Sequence, residues 1–401
     1  MLGGIAILLL TGFLAHALIN NLKKTFPAID AQWLKRLFYY HVFLGFVYYL
    51  YSLFNASDSR FYFRKVIENY RGPGWLDFYG TSTTFIEFIS YPFIKYLGFS
   101  YMAMMALFAF FGFVGFVYFY IFLKENIRFE HKLFGFDLIK IFLLLPNLHF
   151  WSSSLGKGAV IFPVIAIFFY SISRLRQRII PLVFASIVIY HIRPHIMLVI
   201  LVSCLIGFIF STKGISWAFR LLFITGAGIA FFFIYQDVLT LVGIDEEEFL
   251  TQGLNLSRRA RELSKATSGI DISNYSLGLQ LFTFIYRPLF FDAPGILGFI
   301  VSIENVFYLF ITLKLLNVSG IKFLFTSNAI VKSAFFSFLT VSIALAQVSG
   351  NLGIAIRQKS QVMLLFLFVV ISFLDQQKMD EWKRFMLRRG KKQSPKPEEV
   401  P

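Results

Sequence analysis

A single cysteine, little charge and few acids mark this 401-residue chain. Cys204 is the one thiol, so an intrachain disulfide and a cysteine-based metal cluster are both excluded. It lies inside an apolar run, where a lone thiol behaves as a small hydrophobe. Charged residues make up 15% of the chain, against about 25% in a soluble domain. The G-x-x-x-x-G-K-[ST] phosphate loop is missing, and so is a D-x-D pair, because Arg60 stands two residues after Asp58. The acidic run 245–248 lacks EF-hand spacing and reads as a solvated loop. The ~10-residue alternating segments of a membrane β-barrel are missing too.

What fills the chain instead is apolar. Hydrophobic residues make up 57%, Phe alone contributes 53 residues, and mean hydropathy is +0.68. Cores stop growing near ~250–300 residues, so a soluble protein could not hide this much apolar surface. A soluble enzyme, a disordered tail protein and a fibrous repeat are excluded. The reading is an all-α polytopic helical membrane protein. Eleven spans are expected near 3–20, 37–54, 101–123, 136–151, 158–173, 179–192, 195–211, 217–239, 295–313, 331–348 and 361–375. Those around Pro194 read either as two short spans or as one broken helix. The first lacks a basic n-region and reads as a retained helix. One membrane domain, 1–375, is followed by a basic tail, 376–401.

The excess of cations (net charge +16) falls mostly between apolar runs, which suits orientation and anionic lipid rather than nucleic acid. Of the 38 Lys and Arg, 22 lie in 21–36, 124–135, 174–178, 212–220, 314–322 and the tail, and 14 in the alternate connections. This places the N-terminus outside and the C-terminus in the cytoplasm. Two outward segments are long, 55–100 and 240–294. Within the second, "DEEEFLTQGLNLSRRARELSKA" reads as an amphipathic surface helix. "LGLQLFTFIYRPLFF" reads as a re-entrant or interfacial hairpin interrupted at Arg287-Pro288.

Polar residues near the membrane are costly and tend to mark function. Four outward clusters stand out. In "FNASDSRFYFRKVIENY", Asp58 could serve as a general base, hold a divalent cation, or simply cap a helix, with Arg60 close by. "PNLHFWSSSLGKGAVIF" joins two apolar runs by a short Ser/Gly turn whose backbone N–H groups, with His149 and Lys157, suit an anion. Alternatively it is a tight turn with a snorkelling Lys157. In "IYHIRPHIMLVI", Arg193 between His191 and His195 offers a phosphate fork and two proton carriers; the alternative is a turn reaching lipid head groups. "SGNLGIAIRQKSQ" adds Arg357 and Lys359. Glu304, inside an apolar run, pairs with a buried cation or bonds locally. Lys157, Arg193 and Arg357 come from three connections yet fall on one side, outlining a basic outward cavity for an amphiphile with an anionic head.

In organisation the chain resembles bacterial membrane glycan polymerases of the O-antigen and exopolysaccharide type, and is similar to membrane glycosyltransferases of the GT-C class. "NASDSRFY" looks like the acidic first outer loop of the latter. "PNLHFWSSSLGKG", "HIRPH" and "NLGIAIRQK" look like short motifs of polymerase-like membrane proteins. The resemblance implies a bacterial inner-membrane enzyme acting on a polyprenyl-(di)phosphate-linked glycan at the outer face. Essential outer-face arginines of such polymerases map onto Arg193 and Arg357. Asp58 or a histidine of the HIRPH turn would be the base, Asp58, Arg193 and His195 the catalytic set, and Arg60, His149, Lys157, His191, Arg357 and Lys359 the substrate-binding set. Tyr62, Trp75 and Tyr79 could stack on sugars. The resemblance fixes no cofactor, and a divalent cation stays open. Partners are the lipid-linked glycan and membrane lipid, with a membrane complex left open. Single-sugar transfer, flipping of a lipid-linked glycan, and a non-catalytic subunit are the competing readings.

Overall fold

The computed structural model describes residues 2–211 and 269–393, apart from 273 and 294, with a few positions between 221 and 229. The expected span 217–239, the expected surface helix after 244 and the end of the tail lie outside the described residues.

The described chain is almost wholly helical. In order it forms α1 (Leu2–Thr25), α2 (Ala31–Phe54), α3 (Asp58–Ile67), α4 (Thr83–Tyr91), α5 (Tyr101–Asn126), α6 (Leu138–Leu143), α7 (Pro146–Ser152), α8 (Lys157–Ile172), α9 (Ile179–Ile192) and α10 (Pro194–Ile209). Then follow α11 (Leu277–Tyr286), α12 (Gly295–Leu315), α13 (Val318–Thr326), α14 (Ala329–Ala346) and α15 (Leu352–Gln393). The strands among the described residues are the antiparallel pair Lys132–Leu133 and Phe136–Asp137. Starts follow side-chain chemistry: Asp30, Ser100, Asp137, Ser276, Asn317 and Asn328 each accept a backbone N–H from the first turn of the next helix. Pro146 and Pro194 open α7 and α10, where a missing N–H costs nothing.

Among the described residues, six helices are long and apolar enough to cross a membrane: α1, α2, α5, α12, α14 and α15. The pair α7–α8 adds a seventh if counted as one span bent by 114°. The expected span 136–151 is therefore corrected. Residues 136–137 belong to the strand pair, α6 stops at Leu143, and Pro146 starts a separate helix. Pro146 has no N–H and pushes Leu145 out of the helical region, so one continuous helix is barred. Around Pro194 there are two short helices, with Arg193 alone between them. The helix that holds the last expected span does not end at 375: α15 runs unbroken for 42 residues into the tail.

α5 sits centrally, packed on α1, α2 and α8. Two glycines set its distances. A Cβ on Gly112 would stand 1.8 Å from the Ser152 carbonyl oxygen, and one on Gly115 within 2.8 Å of Phe162 and Pro163. A second group joins α10, α14 and α15, with Gly207 close against Ser333.

The connections separate into two ends. At one end Arg178 holds Glu125 through two bonds of 2.7 and 2.8 Å. There too Asp375 accepts the N–H groups of Arg128 and Phe129, and Lys378 donates to the Glu130 carbonyl. The other end gathers α3, α4, the α7–α8 turn, Arg193 and the start of α15 around one cavity. The chain is thus an all-α protein built as a multi-pass membrane protein.

Candidate functional site: a basic cavity ringed by helix starts

The cavity has a volume of about 710 Å³. Asp58, Lys157, Arg193, His195 and Arg357 line it, from four separate stretches of sequence. Five helices also begin at its wall, because Asp58 opens α3, Ser82 and Thr83 open α4, Gly156 to Gly158 open α8, Arg193 precedes α10, and Ser349 and Ile354 flank the start of α15. Helix starts carry partial positive charge and unpaired N–H groups. The site therefore adds backbone dipoles to three cationic side chains. Broken helices whose starts face a polar site are the usual way a membrane protein holds an anion.

The turn between α7 and α8 is built for this approach. α8 has no side-chain cap at Gly156. A Cβ on Gly158 would stand 2.2 Å from the Trp151 carbonyl oxygen, so only glycine lets α7 end so close to the start of α8. Lys157 donates to the Ser82 hydroxyl at 2.7 Å, and the Ser82 N–H donates to the His191 carbonyl at 2.6 Å. These bonds tie α4 to α8 and to the end of α9. Ser82 itself has φ +64°, a strained value for a residue other than glycine.

Asp58 and Arg357 meet directly. The guanidinium of Arg357 donates to the Asp58 carboxylate and lies 5.9 Å from the Trp151 ring centre. Their side chains are 50% and 34% exposed, so the pair stands at the cavity mouth. Tyr62, one helical turn after Asp58, also lines the cavity. Burial and the Asp58 carboxylate push its phenol up to about 12, so it remains an O–H donor. Opposite the charges, Leu198, Val199, Ala344, Leu345 and Val348 form an apolar wall from α10 and the end of α14. The cavity is amphipathic.

Four expected ligands lie elsewhere. Arg60 donates to the Ser52 and Leu53 carbonyls, closing the end of α2. His149 is fully buried: its Nδ1 lies 2.9 Å from Nδ1 of His41, its Nε2 lies 2.7 Å from the Leu143 oxygen, and its ring stacks on Phe116 at 4.0 Å. His191 takes a bond from the Tyr79 hydroxyl at 2.9 Å and packs on Phe85, outside the cavity lining. Lys359 is fully buried and donates to the Ile285 and Arg287 carbonyls and to Asn305 Oδ1. Of the expected sugar platforms, Tyr62 lines the cavity, whereas Trp75 is stacked on Phe88 with its indole N–H on the Phe88 carbonyl.

Glu304 and Lys359 do structural work on broken helices. Glu304 accepts the N–H of Asn147 at 2.7 Å, a carboxylate on the first turn of α7. Lys359 meets the last carbonyls of α11. Each charge faces the helix end of opposite polarity. Asn305 accepts from Lys359 and donates to the Pro288 carbonyl, tying α12 and α15 to the segment after α11. A divalent cation does not fit at Asp58, whose carboxylate already faces a guanidinium. Among the described residues, no three His, Cys, Asp or Glu side chains are grouped to hold a metal.

Sequence reasoning missed Ser82, Gln358 and Gln361 as lining residues. A signal existed for the first: the run Thr81 to Thr84 precedes an apolar stretch and is rich in helix-capping side chains. Comparison with family models, with curated proteins and with solved structures finds no match.

Proposed function

We propose that the cavity binds the (di)phosphate head of a polyprenyl-linked glycan at the outer face of a bacterial inner membrane and transfers the glycan, most simply as a polysaccharide polymerase. The N-terminus would face outward and the C-terminus the cytoplasm. The observation that carries the reading is the convergence of Lys157, Arg193, Arg357 and five helix starts on one cavity with an apolar wall and, among the described residues, a single carboxylate. The cations would hold the head, and the wall of α10 and α14 would take the first isoprene units.

In the transfer, the acceptor hydroxyl oxygen forms a bond to the anomeric carbon while the bond from that carbon to the phosphate oxygen breaks. The diphosphate leaves with the electron pair. The hydroxyl proton passes to Asp58 or His195. Negative charge grows on the leaving group, where Arg193, Arg357 and Lys157 oppose it most strongly in the transition state. The test is complementation of a deletion strain by wild type, Arg193→Ala and Asp58→Ala at equal membrane abundance. Loss of long surface chains with outward accumulation of lipid-linked precursor is the expected result for both variants. Unchanged chains and precursors in the deletion overturn the reading and favour a transporter or a subunit of a membrane complex.

A further inference from the structure

Among the described residues one carboxylate lines the cavity with its cations, and that carboxylate is already paired. Asp58 sits on Arg357, the place where the reading above seats an incoming phosphate. A guanidinium N–H that donates to Asp58 is not at the same time open to a phosphate oxygen. Arg357 therefore cannot take the anion at that position while the pair is closed.

We infer that Asp58 is the resident occupant of the anion site, seated on Arg357 until an anionic diphosphate head displaces it. This rests on the reading proposed above. Three features support it. The pair is half exposed at the mouth, so an incoming head reaches Arg357 without opening the core. Arg357 is braced by the Trp151 ring and by the helix behind it, so the cation stays when its partner leaves. The displaced carboxylate is not stranded: Asp58 is the first residue of α3, whose start has no side-chain cap and whose N–H groups can donate to it, and Tyr62 stands one turn on as an O–H donor. The pair bridges the first outer segment and the last long helix, so opening it releases α3 from α15 at the moment of binding.

The sign of one substitution separates this from a plain ligand role. If Asp58 competes with the anion, Asp58→Asn removes the competitor and tightens binding, although the same substitution abolishes transfer. Exposed ion pairs of this kind correspond to about two- to fivefold in affinity. The experiment is calorimetric titration of inorganic pyrophosphate and of farnesyl diphosphate into the full-length protein in nanodiscs, as wild type, Asp58→Asn and Arg357→Gln. Tighter binding to Asp58→Asn by about two- to fivefold, with weaker binding to Arg357→Gln, is expected. Equal or weaker binding to Asp58→Asn overturns the displacement while the anion site stands. Absence of pyrophosphate and farnesyl diphosphate binding to wild type and Asp58→Asn alike overturns the site itself. A gain from the prenyl tail is expected from the apolar wall; equal affinity for the two probes overturns the lipid-linked source in favour of a soluble diphosphate.

Discussion

Replacing Lys359 by Met tests whether this buried cation holds helices or substrate. The ammonium is fully buried and gives its three hydrogens to the Ile285 carbonyl, the Arg287 carbonyl and Asn305 Oδ1 at 3.0, 3.2 and 2.5 Å. Met matches its length but donates nothing. Two helix-end carbonyls and an amide oxygen then lose their donor in a dry interior, and the buried Glu304 loses a neighbouring cation. Removing one member of a buried charged network costs roughly 3–5 kcal/mol, and an unpaired buried acceptor about 1–3 kcal/mol. These overlap rather than add, so the expected loss is ~3–5 kcal/mol. The assay is thermal unfolding of purified protein in a mild detergent, with membrane abundance measured in parallel. A fall of several degrees with reduced abundance is expected, and the double variant Glu304→Gln/Lys359→Met should be no worse than Lys359→Met. Wild-type melting together with lost diphosphate binding would refute the reasoning and return Lys359 to the ligand set.

Other outcomes follow from the same geometry. Gly112→Ala places a methyl against the Ser152 carbonyl and should destabilise the protein by ~1–3 kcal/mol or more, read as lowered melting temperature. Gly158→Ala should instead weaken pyrophosphate binding more than stability, because the added Cβ strikes the Trp151 carbonyl and shifts the turn at the cavity. Arg60→Ala should leave diphosphate affinity within about twofold, since its bonds are to carbonyls at the end of α2 and it does not line the cavity. Absorbance titration at 295 nm should show that Tyr62→Phe removes a phenol ionising near 12 rather than 10. The sign follows: a phenol whose ionisation is raised by folding stabilises fully below pH 10, and that contribution is lost as pH rises toward 12.

Much of the cavity could be read from the chain because charge placement is itself a constraint. Lys157, Arg193 and Arg357 fall in the connections that hold fewer cations, against the usual bias, so they carried information before any fold was known. The misassigned residues share a different logic. A polar side chain in an apolar stretch either faces a cavity or satisfies another part of the backbone, and composition does not distinguish the two. Lys359 is two residues from Arg357, yet on a helix that is ~200° around the axis. One therefore faces the cavity while the other faces α11 and α12. His149 was misread because its partner, His41, lies 108 residues earlier. Long apolar helices were legible from run length alone, whereas the break after α6 depended on Pro146 inside a run that otherwise reads as one span.

The Glu304 contact has a consequence for the order in which the protein can be made. The first turn of α7 takes its acceptor from a residue 157 positions later in the chain. While the ribosome is still short of α12, that helix start has no carboxylate to meet, and its neighbour α15 does not yet exist. The pair α7–α8 can pack on α2, α5 and α9 during early insertion, but the start of α7 stays without its acceptor until α12 is made. Chains truncated before Glu304 should be cleared by membrane proteases even though every helix around α5 is already present.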